Sequence, residues 1–170
     1  MASGLERLWA GWRSEYVEGG VDVDPDVEGS LFQRIVESGL PDEETCVLTR
    51  GQSTFALLNA FPYTSGHLMV LPYRAVPNLE DLTDDEHGEL WATVRDAVVA
   101  VKAAYRPEGV NVGLNLGLAA GAGVPDHLHV HVLPRWAGDT NFVTSVAELR
   151  VLPEALGRSW ERLREVWPGG

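Results

Sequence analysis

Apolar residues recur at helical spacing near both ends and in the middle of the chain, and alternate with polar ones between. Leu5, Leu8, Trp9, Trp12 and Tyr16 follow the capping-box pattern Ser3-Gly4-Leu5-Glu6 and predict a helix over 4–17. An acidic stretch with Pro25, over 19–29, reads as a connector. A short apolar segment over 31–36 predicts a second, small helix. Strand-like runs follow at 45–49, 54–59 and 66–71, the last ending at Pro72, with Gly51 and Pro62 in the turns. The clearest helix begins at Thr83, with Glu86 three residues on. Leu90, Val94, Ala97, Val98, Val101 and Tyr105 line one face of it, and Pro107 stops it. A strand is predicted over 110–116, a glycine-rich stretch over 117–123 and an alternating strand over 127–133. Leu152, Leu156, Trp160, Leu163 and Trp167 mark a last helix. Hairpin-spaced strands beside separate helices predict an α+β fold. Its sheet is mostly antiparallel, with about five strands, helices packed on it, and extra N- and C-terminal helices. The expected division is 1–29 for the N-terminal helix and connector, 30–145 for the domain, and 146–170 for the C-terminal helix.

The composition narrows the partners. The chain has 170 residues, enough for one domain with a full core, and a net charge of −12. That charge opposes non-specific binding to nucleic acid or an anionic membrane, but a small phosphorylated ligand needs only a local set of donors. One cysteine, Cys46, rules out an intrachain disulfide. Neither a signal-peptide pattern nor a membrane-length apolar run is visible, so the expected compartment is the cytoplasm.

The segment Asp126-His127-Leu128-His129-Val130-His131-Val132-Leu133 carries the chemistry. In a strand, side chains two apart share a face, so His127, His129 and His131 look one way and Leu128, Val130 and Val132 the other. Imidazoles so arranged can converge on a metal, or one can act as a nucleophile while its neighbours position a phosphate. A third reading is a nucleotide-binding module with slow turnover. His87, among Asp84, Asp85, Glu86 and Glu89, reads as solvated surface.

Residues 127–133 match the His-φ-His-φ-His-φ-φ signature, where φ is apolar, and in this the chain resembles the histidine-triad family. Gly66-His67-Leu68-Met69-Val70-Leu71-Pro72 is similar to the family's Gly-His strand, and Phe55-Ala56-Leu57-Leu58-Asn59 to its ribose-contacting strand. Pro134-Arg135-Trp136 and Gly138-Asp139-Thr140-Asn141-Phe142, with Ala120-Gly121-Ala122-Gly123, resemble the bacterial diadenosine tetraphosphate phosphorylases and the fragile-histidine-triad hydrolases. One departure is plain. Many relatives carry Cys-x-x-Cys where this chain reads Ser30-Leu31-Phe32-Gln33, so a structural zinc is not expected.

The resemblance implies a HIT-like fold and a hydrolase or transferase of nucleoside or dinucleoside polyphosphates, with diadenosine tetraphosphate as the expected substrate. His129 would form a nucleotidyl-histidine, and water or phosphate would then release the nucleotide. A neutral imidazole with an ordinary pKa of about 6.5 suits this role, and its other nitrogen should donate to a backbone carbonyl. His127 and His131 are expected on phosphate oxygens and the leaving group, stabilising charge in protonated form, with His67 approaching from a neighbouring strand. Gly121, Ala122 and Gly123 could offer backbone N–H groups, and Asn115 its amide. Asn59 could bind ribose; Phe32, Ile35 and Leu57 could line a slot for the base or simply be core; Trp136 could stack on a second base. No cofactor is expected, although a divalent cation such as Mg2+ can accompany the polyphosphate. The resemblance also implies a homodimer, and Trp9, Trp12, Trp91, Trp160 and Trp167 are candidate interface anchors.

Overall fold

The computed structural model describes residues 29–139 and 154–169. The helix predicted over 4–17, most of the acidic connector and the boundary expected at 146 lie outside the described residues. In chain order the elements are α1 (Leu31–Glu37), α2 (Asp42–Thr45), β1 (Val47–Arg50), β2 (Thr54–Leu58), β3 (Leu68–Pro72), α3 (Asp84–Tyr105), β4 (Gly109–Leu114), β5 (Val130–Arg135) and α4 (Leu156–Glu165). The five strands form one antiparallel sheet in the order β1-β2-β3-β5-β4, so β3 is central, β5 lies between it and β4, and β4 lies on an edge.

The sheet has a core on each face. On one, Ala56, Leu58, Leu68, Val70, Leu128, Val130 and Val132 pack against α3 through Leu90, Val94, Ala97, Ala100 and Val101, and against Leu163 of α4 and Trp167 just beyond it. Full burial of a Val or Leu side chain is worth about 1.5–3 kcal/mol, so this row holds α3 in place far more strongly than helix propensity does. Thr83 caps α3 with both halves of the capping box: its hydroxyl accepts from the Glu86 N–H, and the Glu86 carboxylate accepts from the Thr83 N–H. On the opposite face Phe32 and Val36 of α1 cover Phe55, Leu57, Met69 and Leu71. The histidines lie on this second face, where Met69 pairs with His131 across the β3–β5 ladder.

Three local expectations are corrected. Residues 42–45 form a helical turn, so β1 starts only at Val47, after Cys46 adopts a left-handed backbone at φ 57°. The strand expected over 127–133 enters the ladder only at Val130. His127 and His129 precede it in extended chain that is held instead by the Leu128 N–H donating to the Val76 carbonyl at 2.7 Å. The expected face alternation survives, because Leu128 still reaches the α3 core. Trp160 of α4 and Trp167 just beyond it, expected as interface anchors, are engaged within this chain. Trp160 donates its indole N–H to the Val47 carbonyl at 2.8 Å, and Trp167 lies in the core.

Candidate active site

His129 sits where the extended approach to β5 becomes the ladder, and only 5% of its surface is exposed. Its Nδ1 lies 2.8 Å from the His127 carbonyl. A carbonyl only accepts, so Nδ1 carries a proton, and in the neutral ring Nε2 keeps its lone pair. Among the described residues nothing hydrogen-bonds that Nε2. The backbone acceptor expected for the His129 ring is therefore present.

His67 and His131 form a directed pair. The Tyr63 N–H donates to His67 Nδ1 at 3.1 Å, so His67 carries its proton on Nε2. That Nε2–H faces His131 Nδ1 at 3.0 Å, which leaves the His131 proton on its own Nε2 as a donor for a ligand. The His131 ring stands edge-on to His129, with centroids 4.9 Å apart. Burial, then the nearby His129, lower the His131 pKa to about 4. Gly66 makes the approach of His67 possible. Its φ is +77°, and a Cβ there would lie 2.4 Å from the Tyr105 ring.

His127 behaves differently from expectation. Its Nε2 donates to the Pro72 carbonyl at 2.8 Å and its Nδ1 meets the Ser30 hydroxyl at 2.5 Å. Both nitrogens are engaged within the protein and the residue is fully buried. Where a phosphate contact was expected of the His127 side chain, both ring nitrogens bond within the protein, and its carbonyl accepts from His129. Burial presses its pKa down, the bond to the Pro72 carbonyl pulls it partly back up, and the neighbouring His129 adds a smaller downward push. Burial thus favours the neutral form of both flanking rings. The commitments of His127 also prevent the three rings from converging on one ion.

The remaining candidates divide. Phe32 touches the triad, with its ring 5.5 Å from His127 and 5.4 Å from His129. Ile35 and Leu57 join it in the small core beneath the site. Asn59 accepts the Phe61 N–H on Oδ1 at 2.9 Å and holds Nδ2 against the His67 ring, 3.3 and 3.4 Å from its nitrogens. In this state it shapes the loop around His67. The glycine-rich stretch forms a tight turn in which the N–H groups of Gly121 and Ala122 already donate to Leu118 and Gly117 carbonyls. Gly121 has φ +92°, and Gly123 is exposed. Asn115 follows β4 directly and is half-buried. Trp136 packs edge-on against Tyr105 with centroids 6.3 Å apart.

Two residues escaped the sequence reading. Tyr63 tilts over His67 and His131 at 4.7 and 6.0 Å between centroids while staying 41% exposed, so it forms one wall of the mouth. Ser30 caps α1 and reaches His127 across 97 positions of sequence. The spacing Ser30-x-x-Gln33 is itself a capping-box signal, but its link to a histidine is not legible from spacing.

Comparison with known proteins agrees with this geometry. The HIT domain model matches residues 41–138. The chain is 47% identical over 165 residues to the AP-4-A phosphorylase of Mycobacterium tuberculosis (strain ATCC 25618 / H37Rv), covering 96% of this chain and 85% of that protein. It is 38% identical over 93 residues to the asymmetrical bis(5'-nucleosyl)-tetraphosphatase of Schizosaccharomyces pombe, covering 55% of this chain and 50% of that one. Among solved structures, a Zn-bound histidine triad family protein from Mycobacterium smegmatis matches with a TM-score of 0.65 at 26% identity, over 81% of this chain and 92% of that one. A hypothetical histidine triad nucleotide-binding protein from Sulfolobus tokodaii strain7 also reaches 0.65 at 26% identity, over 79% and 89%.

Proposed function

Since the chain belongs to the histidine-triad family, we propose that it cleaves diadenosine tetraphosphate through a nucleotidyl-histidine, with inorganic phosphate as the final acceptor. The observation that carries this reading is the pairing of His129 Nδ1–H with the His127 carbonyl, which in the neutral ring leaves the Nε2 lone pair for attack. In the first step the Nε2 lone pair forms an N–P bond at an α-phosphorus, and the bond to the departing phosphate chain breaks, releasing ATP. The Nε2–H of His131, oriented by His67, is the donor for a phosphoryl oxygen or the departing chain. In the second step a phosphate oxygen forms a bond to phosphorus, the N–P bond breaks, and ADP leaves with His129 restored. Two easier substitutions replace one hard one.

The high identity to a phosphorylase over nearly the whole chain favours phosphate over water as that acceptor. Gly123 and Asn115 are the candidates for phosphate contacts beyond the triad, Asn59 for ribose after a local rearrangement, and Phe32 for the base. Trp136 is proposed to border the second nucleoside. No structural zinc is required in this reading, because Ser30 and Gln33 already cap α1 and Ser30 holds His127. A cation such as Mg2+ can accompany the substrate's phosphates. No helix among the described residues is long and apolar enough to cross a membrane.

The test is product analysis with diadenosine tetraphosphate. ATP plus ADP is expected with phosphate present, and His129→Ala should lower turnover at least about 10^3-fold. ATP plus AMP regardless of phosphate would overturn phosphorolysis. Full activity in His129→Ala would overturn the nucleophile, and tight binding without turnover would indicate a binding module.

A further inference from the structure

Ser30 lies outside the histidine strand, yet its hydroxyl has a single consistent role. The Gln33 N–H donates to Ser30 Oγ at 3.2 Å, as an N-cap requires. On the other side, His127 Nε2 must hold a proton, because the Pro72 carbonyl can only accept. In a neutral ring Nδ1 is then an acceptor, so the Ser30 O–H donates to it. The His127 ring is thereby clamped between α1 and the end of β3. The carbonyl of this same residue holds His129 Nδ1–H. A hydroxyl at the start of a seven-residue helix thus bears, through one residue, on the proton placement of the nucleophile.

We propose that Ser30 is a positioning residue for catalysis: its hydroxyl anchors Nδ1 of His127, whose Nε2–H is fixed by Pro72, and so holds the carbonyl that orients His129. This rests on the nucleotidyl-transfer reading given above for its kinetic consequences, but its spectroscopic prediction stands independently. His127 is fully buried and packed edge-on against Phe32, so solvent cannot easily replace the lost donor. Without that donor Nδ1 is left without a partner, while Nε2–H stays on the Pro72 carbonyl. The chain around the His127 carbonyl then loses one of its two anchors.

Ser30→Ala, Ser30→Thr and Gln33→Ala separate positioning from simple capping. Ser30→Ala should lower kcat about tenfold while KM stays within about twofold, since ground-state contacts are untouched. Ser30→Thr restores the hydroxyl and should recover kcat. Gln33→Ala removes the reciprocal half of the cap, the side chain that accepts the Ser30 N–H at 3.0 Å, but leaves the hydroxyl on His127. It should weaken α1 with kcat unchanged. Nitrogen-15 spectra of the full chain, labelled at histidine, read the bonding of each ring nitrogen directly. His127 should be Nε2–H throughout, with its Nδ1 resonance moved toward that of an unbonded ring nitrogen in Ser30→Ala and unmoved in Gln33→Ala. An unchanged His127 Nδ1 resonance in Ser30→Ala overturns the proposal, as does an equal loss of kcat in Gln33→Ala. If the native protein turns over no dinucleotide, the functional reading fails while the spectra still decide the role of Ser30.

Discussion

Four histidines of one residue type have four different assignments here, and the difference is which nitrogen each has left. His129 keeps a lone pair, His131 keeps an N–H, His67 uses its N–H on His131, and His127 keeps neither. Removing His67 should therefore act on His131 rather than on substrate affinity. His67→Ala is expected to lower kcat by about 10–100-fold with KM changed less than about threefold, a split measurable by steady-state kinetics. A second consequence concerns pH. The folded pKa of His131, about 4, lies below its ordinary value, so the unfolded chain takes up the proton first. The stability linked to this residue is present in full above about pH 6.5 and is lost as pH falls toward 4, and the lowered pKa of His127 adds in the same direction. Allowing for screening at the open side of the site, His131 accounts for roughly 1–2 kcal/mol of that loss. Urea unfolding between pH 7 and 4 should show a shallower decline for His131→Gln than for the native chain; parallel curves would refute the linkage.

Among the elements, the connection into β3 shows how much a site can depend on one backbone position. Gly66 combines positive φ with contact against Tyr105 of α3, and His67 follows it immediately. An added Cβ strains the backbone by about 1 kcal/mol and also pushes on a ring held by its hydroxyl bond to Glu154. Gly66→Ala should thus cost about 2–3 kcal/mol in chemical denaturation and reduce activity beyond the fraction unfolded, because His67 moves with it. The turn between β1 and β2 is built on a comparable close approach. Glu89 of α3 accepts from the N–H groups of Gln52 and Ser53 and from the hydroxyls of Ser53 and Thr54, and a side chain at Gly51 would collide with that carboxylate. The two helices flanking the sheet have separate duties. α3 carries the large core, whereas α1 brings Ser30 and Phe32 onto the histidine face.

For the whole molecule, the two edges of the sheet are treated differently. β1 is covered by α4, whose Trp160 and Arg164 donate to the carbonyls of Val47 and Leu48 beside an irregularity in the β1–β2 register. β4 has no such cover among the described residues, and Val112, Leu116 and Leu118 on or just beyond it are 42%, 40% and 76% exposed. An open strand with apolar neighbours is a template for pairing, and two copies meeting through β4 would close it. The homodimer that the family resemblance implies is therefore predicted to form through this edge rather than through Trp160 and Trp167. Light scattering should give twice the 18.6 kDa chain mass, and Val112→Lys should shift the distribution toward monomer; a native monomer at working concentration removes this proposal.

The period of apolar residues determined the helices and strands with long, regular patterns. The alternation at 127–133 likewise put three imidazoles on one side, because side-chain direction in an extended chain follows directly from position. A capping box such as Thr83–Glu86 is equally local and was legible for the same reason. What sequence could not supply were the partners of each ring nitrogen. Ser30, Pro72 and Tyr63 lie far from the histidine strand in sequence, and only the folding of α1, β3 and its preceding loop against β5 decides which nitrogen holds a proton. The charge state of the flanking histidines followed from that burial, as did the diversion of His127 from ligand to support. Local chemistry is written in residue order, whereas desolvation and hydrogen-bond direction arise from surfaces that meet only in the folded chain.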